Sequence, residues 1–300
     1  CRIYGEGELT GMSGKLFIVG TPIGNLGDMS ERAVNTLREV DFIAAEDTRV
    51  TMKLLSRFDI HTPLVSYHEH NAASSGERII ERIAAGESCA VVTDAGMPAI
   101  SDPGEPLVRA CHERGIAVVS VPGPSAVITA LALSGMPTER FTFEGFLSAA
   151  AGERKKQLAE LGGEKRTMVF YESPHRLAAT LANMAETFGE REIAVVKEIT
   201  KIHEQVWRTD LPTAAKHYAE NQPKGEFVLV VAGASEARQA ELSLEQAIAI
   251  AESYIADGMA PTAAAKRAAA ESGVKRALIY RAVAQKCRFV NDVLHIRESE

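Results

Sequence analysis

From Lys15 to Val121 short apolar runs alternate with amphipathic stretches of helical length, and this rhythm limits the chain to few folds. Leu16–Gly20, Phe42–Glu46, Pro63–Tyr67, Cys89–Thr93 and Ala117–Val121 are short, largely β-branched or apolar, and closed by turn-forming residues. Each predicts a strand. Segments of roughly ten to fifteen residues between most of them suit helices. In one, Ser30–Val40, Ser30 is placed to cap, and Ala33, Val34, Leu37 and Val40 share a face. Strands apolar on both faces and separated by helices predict a mostly parallel sheet covered on both sides.

The rhythm breaks at Val121-Pro122-Gly123-Pro124-Ser125. Pro-Gly-Pro cannot continue a strand, and Ser125 can cap a helix over Ala126–Leu133. Further strands are expected at Phe141–Leu147, Thr167–Tyr171, Glu192–Ile199, Gln205–Thr209 and Glu226–Ala232. The gap between Ile199 and Gln205 is short enough for a hairpin, so this half should be mixed or antiparallel. Two α/β domains are thus expected, 15–122 and 123–234, after an aperiodic extension at 1–14. A helical region spans 243–300. Ser243-Leu244-Glu245-Gln246 starts like a capping box, and helices at Thr262–Glu271 and Lys275–Lys286 flank Ser272-Gly273-Val274, a helix-turn-helix pattern.

Charge separates these regions. The 300 residues carry a formal charge of −7, which argues against indiscriminate coating of nucleic acid. Met259–Glu300, however, holds eight Lys/Arg against four acids. With 46% hydrophobic and 24% charged residues the composition is globular rather than disordered or fibrous. No apolar run is long enough to cross a membrane. Cys1–Thr10 lacks the apolar stretch of a secretory leader. Four dispersed cysteines, Cys1, Cys89, Cys111 and Cys287, form no CxxC pair and read as reduced thiols of a cytoplasmic protein.

Three loops could hold a ligand. Gly20–Asp28 follows a strand and precedes a helix, but it matches neither GxGxxG nor the phosphate-binding Gly-Lys-Ser/Thr loop, which disfavours a nucleotide held in those ways. Thr93–Gly104 is long and rich in small residues at a strand's carboxyl end. Pro122–Ala126 lies at the inferred junction, where an interdomain pocket would form. Acids and bases gather at strand ends: Glu46-Asp47-Thr48-Arg49, Glu172-Ser173-Pro174-His175-Arg176, and Lys197-Glu198 with His203-Glu204. Each alone would serve as a cap, salt bridge or solvated edge; together they would line one sheet rim. His68-Glu69-His70 lacks a matching third ligand for a metal.

VGTPIGNLGD (19–28), AAEDTR (44–49), TDAGMPAISDPG (93–104), VPGPSA (121–126), FEGFL (143–147), FYESPHR (170–176) and KEITKIHE (197–204) resemble, in order, the tetrapyrrole methylase superfamily. Within it they resemble the branch acting on small-subunit ribosomal RNA. The resemblance implies two α/β domains with a cleft between them for S-adenosylmethionine, a homodimer, and 2′-O-methylation of a cytidine in the decoding region of 16S rRNA in the 30S subunit. Donor contacts would then come from Gly96, Met97, Pro98, Ile100 and Ser101, from Pro122, Gly123, Ser125 and Ala126, and from Tyr171. Met97 stands where the wider superfamily carries Asp, so Asp94 or Asp102 is a candidate replacement. A ribose hydroxyl is a poor acid and needs a proton acceptor; the candidates are Asp47, Glu172, His175 and Lys197. RNA would meet Pro22, Gly24 and Asn25, phosphates would meet Arg49 and Arg176, and the basic helices would add Lys275, Arg276 and Arg281. The alternatives are methylation of a corrin-type tetrapyrrole or of a protein side chain, as in diphthine synthesis, or a non-catalytic nucleic-acid-binding regulator that senses a ligand.

Overall fold

The computed structural model describes residues 14–102, 104–234, 244–272 and 274–284. These fall into two compact units that divide after Gly233. Cys1, Cys287 and all but the last residue of the expected extension 1–14 lie outside the described residues, as do Ser243 and Lys286.

The first unit contains two five-stranded sheets. In the first, β1 (Lys15–Val19), β2 (Phe42–Ala45), β3 (Leu64–Ser66), β4 (Cys89–Val92) and β5 (Ala117–Val121) run in the order β3-β2-β4-β1-β5. Every pair is parallel. Alternation along the strands sends Phe42, Ala44, Cys89 and Val91 to one core and Ile43, Ala45, Ala90 and Val92 to another. The first core is closed by α3 (Ala72–Ala84) and α4 (Glu105–Glu113), and the second by α1 (Glu31–Glu39) and α2 (Thr48–Arg57). Ser30 caps α1, its side chain accepting from the Ala33 amide at 3.1 Å.

The second sheet is mixed. It comprises β6 (Phe141–Phe146), β7 (Thr167–Glu172), β8 (Glu192–Lys197), β9 (Gln205–Asp210) and β10 (Phe227–Val231), ordered β6-β7-β10-β8-β9. Only β6 and β7 pair in parallel; β10 runs antiparallel between β7 and β8, and β8 and β9 form the hairpin. β8 stops at Lys197 rather than Ile199 because Glu198 and Thr200 take left-handed backbone, φ 53° and 66°, which ends the ladder. One face is covered by α5 (Ala126–Ser134). The other packs against α6 (Ala151–Glu160), α7 (Leu177–Phe188) and α8 (Leu211–Glu220).

The second unit contains α9 (Leu244–Ala256), α10 (Pro261–Ser272) and a helical segment at 276–284. Small residues let these helices approach closely: Ala247, Ala251, Ala265 and Ala268 form a core with Ile279 and Val283. Lys275, Arg276 and Arg281 are exposed, on the side chains this core leaves out.

Within the first unit, the loop after β1 and the loop after β5 meet without side chains between them. A Cβ on Gly20 would lie 2.6 Å from Gly123 Cα, and one on Gly123 would lie 2.7 Å from Gly20 Cα. Backbone cannot yield as a side-chain tip does. Gly123→Ala is therefore expected to lower unfolding free energy by about 1–3 kcal/mol, whereas Gly152→Ala, in open space on α6, should leave it unchanged or raise it by up to about 1 kcal/mol. Equilibrium denaturation of both variants checks the pair.

Candidate active site

Strands β4, β1 and β5 are neighbours, so the loops leaving their carboxyl ends converge. Hydrogen bonds then pin them. Thr21 and Gly96 exchange backbone bonds, Thr21 N to Gly96 O at 2.9 Å and Gly96 N to Thr21 O at 3.2 Å. The Thr21 hydroxyl donates to Thr93 O at 3.1 Å, and Gly20 N donates to Val121 O at 3.0 Å. Ile23, from the first of these loops, packs into the α5-side core of the second sheet. The two sheets are thereby joined, and a cavity of about 350 Å³ lies between them.

Loop 95–102 forms one wall, contributing Gly96, Met97, Ile100, Ser101 and Asp102. This segment is strained: Gly96 has φ 92°, and Ala99 and Ser101 have φ 68° and 63° although neither is glycine. Ser125 and Ala126 close one end. Ser125 occupies the N-cap of α5, but its side chain makes no capping bond. The opposite wall comes from the second sheet. A β-bulge at Glu144 shifts the register before Phe146, whose ring then lies 5.4 Å from that of Tyr171. Antiparallel β10 adds Glu226, Phe227 and Val228 beside Tyr171 and Glu172.

Of the residues expected to hold the donor, Gly96, Met97, Ile100, Ser101, Ser125, Ala126 and Tyr171 line this cavity. Pro98 is buried behind the wall, Pro122 is exposed, and Gly123 is occupied by its contact with Gly20.

The four expected proton acceptors are scattered. Asp47 caps α2, accepting from Arg49 N at 2.8 Å and from the Arg49 guanidinium at 3.0 and 2.7 Å. That guanidinium holds the carboxyl down at about 2, so Asp47 is a weak base, and the Arg49 charge is already met. Glu172 is buried and accepts from Ser173 N at 2.7 Å, from Arg176 Nε at 2.9 Å and from the Thr180 hydroxyl. Arg176 also donates to Leu147 O at 3.0 Å. This arrangement ties β7 to α7 and argues against Glu172 as proton acceptor and against Arg176 as an unpaired phosphate contact. His175 lines a second cavity of about 670 Å³, with Tyr218 and Lys224; Pro174 borders both. Lys197 pairs in register with Phe227 and Gln205 and lines neither cavity.

Gly24 and Asn25 are exposed and Pro22 half-buried. Gly24 packs against Lys201 and Thr200. Lys201 in turn bridges Glu198 at 3.0 Å and Glu226 at 2.9 Å, fixing the β8–β9 turn that supplies Ile199 to the cavity. Lys275, Arg276 and Arg281 belong to the second unit. Among the described residues no three His, Cys, Asp or Glu side chains group as metal ligands, and no helix is long and apolar enough to cross a membrane.

Asp102 differs from the other acids of the lining. Burial first, and then the charge of Glu46, push its carboxyl up to about 6. Asp94, the other candidate replacement, lies outside the lining and accepts from Asp47 N at 3.2 Å.

The family described as Tetrapyrrole (Corrin/Porphyrin) Methylases matches residues 15–215. The chain is 48% identical over 268 residues to the ribosomal RNA small subunit methyltransferase I of Synechocystis sp., covering 89% of this chain and 96% of that one. It is 47% identical over 220 residues to the protein of the same name from Thermotoga maritima, covering 73% of this chain and 99% of that one. Among solved structures, a uroporphyrin-III C-methyl transferase from Thermus thermophilus complexed with S-adenyl homocysteine superposes with a TM-score of 0.51 at 16% identity, covering 73% of this chain and 97% of that one. At that identity the likeness concerns the fold. The chain belongs to the tetrapyrrole (corrin/porphyrin) methylase family.

Proposed function

We propose that this protein uses S-adenosylmethionine to methylate the 2′-oxygen of a cytidine in the decoding region of 16S rRNA, acting on the 30S subunit in the cytoplasm as a homodimer. One observation carries the reading: residues scattered from Ile23 to Val228 line one cavity whose lining suits a cationic nucleoside. Its volume falls within the ~300–1,000 Å³ range of small-molecule sites. Ile23, Met97, Ile100, Phe146 and Val228 offer apolar surface to a flat base. With Glu172 and Glu226 each paired to a basic side chain, Asp102 is the carboxylate that gives the lining its negative charge, which favours a ligand carrying a sulfonium and an ammonium. Relatives named for small-subunit ribosomal RNA, at 48% and 47% identity, favour this substrate over the tetrapyrrole named for a structural neighbour at 16%.

When bound, the donor supplies a methyl group already activated on sulfur. The protein's own task is to align it with the attacking oxygen at about 3–3.5 Å and to keep water out. Backbone of 96–102, the Ser125–Ala126 turn and Tyr171 are placed to hold the donor. A ribose can reach a recessed cavity only if its nucleotide leaves the stack, so an extruded cytidine is the expected substrate conformation. The acidic first unit attracts the donor and repels phosphate. Phosphate contacts are therefore assigned to Lys275, Arg276 and Arg281, which raise affinity without entering the chemistry.

Three outcomes are expected. Incubation with labelled donor and unmodified 30S subunits places label on one cytidine ribose, while label accepted instead by a precorrin or a protein side chain favours the alternatives. Gly96→Val, which adds a branched side chain at φ 92° on the cavity wall, weakens S-adenosylhomocysteine binding in calorimetry at least about tenfold. Combined Lys275→Ala, Arg276→Ala and Arg281→Ala weakens 30S binding and flattens the log-affinity against log-salt slope by roughly 2–3, leaving the S-adenosylhomocysteine affinity unchanged.

A further inference from the structure

We infer that Asp102 is the catalytic residue that accepts the ribose hydroxyl proton during methyl transfer, an inference that rests on the function proposed above. Three carboxylates line the donor cavity, and two are already committed. Glu172 is held by Arg176, the Ser173 amide and Thr180, and Glu226 is paired with Lys201 at 2.9 Å. Asp102 meets no basic side chain among the described residues; the groups that act on it are Glu46, Asp94 and the Thr93 hydroxyl. It is the lining carboxylate whose lone pairs no cation has claimed.

The surroundings of Asp102 favour proton uptake. Glu46, at the end of β2, and Asp94, in the loop after β4, add negative charge, and Tyr171 faces it from the second sheet, its own phenol raised by burial and by the Asp102 charge. The Thr93 hydroxyl donates to Glu46 at 2.7 Å. A hydroxyl has one hydrogen, so while it serves Glu46 it cannot also serve Asp102; a protonated Asp102 can donate to the hydroxyl oxygen instead. Backbone strain at Ala99 and Ser101 marks the same turn. Gly104 closes it, with its amide donating to Asp102 O at 2.8 Å and its Cα pressed so near Ala99 that a Cβ would lie 2.9 Å from Ala99 Cβ.

In the step assigned to it, the 2′-oxygen forms its bond to the methyl carbon while the carbon–sulfur bond breaks. That bond's electron pair stays on sulfur as a neutral thioether. The hydroxyl proton passes to the Asp102 carboxylate and leaves to water after product release. The carboxylate must therefore start ionised, so the rate rises with pH through its titration and levels off above it.

The test uses the full chain carrying Asp102→Asn or Asp102→Glu. In the ligand-free protein, the carboxyl carbon signal that Asp102→Asn removes should titrate near 6. Asp102→Asn should lower kcat for 30S methylation by ~10²–10⁴-fold and abolish the acid limb of the kcat/KM profile. S-adenosylhomocysteine affinity should change less than about threefold, and Asp102→Glu should restore part of kcat. Because the folded state disfavours the charge, Asp102→Asn should be at least as stable as the parent at pH 8. Wild-type protein that methylates 30S subunits while Asp102→Asn does so equally, with its acid limb intact, overturns the inference alone. Equal losses of kcat and S-adenosylhomocysteine affinity also overturn it, by making Asp102 a donor-holding residue. Wild-type protein that transfers no label to 30S subunits overturns the proposed function, and the inference with it.

Discussion

Gly20 and Gly123 meet backbone to backbone, and the rest of the site is arranged around that contact. It brings the loop after β1 against the start of the segment that leads from the first sheet into the second. A side chain at either position would push the two loops apart. Separated loops would not let Ile23 reach the core under α5, nor let Ser125 close the cavity end. A steric constraint involving two atoms thus fixes how two separately cored sheets share one pocket. The Thr21–Gly96 bridge extends the same logic to the third loop, since two backbone hydrogen bonds hold the long β4–α4 connection in register with the first.

The two sheets do different work because their connectivities differ. In the parallel sheet every loop at the carboxyl edge has a strand neighbour whose loop lies beside it, so ligand-facing backbone accumulates there. The mixed sheet instead brings sequence-distant side chains together. Antiparallel β10 sets Phe227 opposite Glu172 and Val228 opposite Tyr171, which builds an apolar wall from residues some fifty positions apart. Charges on this wall are neutralised locally, Glu172 by Arg176 and Glu226 by Lys201. Removing Arg176 would leave the buried Glu172 charge poorly solvated, so that pair acts as a fixed point of the wall.

Local chemistry explains what the sequence made legible. Strand positions could be read because both faces of β2, β4, β8 and β10 are buried, leaving continuous apolar runs. The hairpin at 199–205 was visible from its length. Ligand loops were visible because glycine and proline cluster where backbone must turn sharply. Pairings of side chains were not visible. Nothing local in FYESPHR says that Arg176 folds back on Glu172, and nothing in AAEDTR says that Asp47 spends both oxygens on Arg49. Such choices depend on which helix caps and which strand ends face inward. Glu226, Phe227 and Ile199 were missed as lining residues for the same reason: their place depends on strand order, and strand order is a long-range property. Asp102 lies within the block TDAGMPAISDPG, but its distinction is that no basic side chain among the described residues meets it, which only the folded surroundings reveal.

Electrostatics sets a final demand on how the parts combine. An acidic pocket attracts a positively charged donor, and the same field repels a polyanion approaching its mouth. One surface cannot serve both partners well, so basic side chains proposed to meet RNA are best kept on a separate body. The chain is divided in this way: the carboxylates lie in the two-sheet unit, and Lys275, Arg276 and Arg281 are exposed on the helical one.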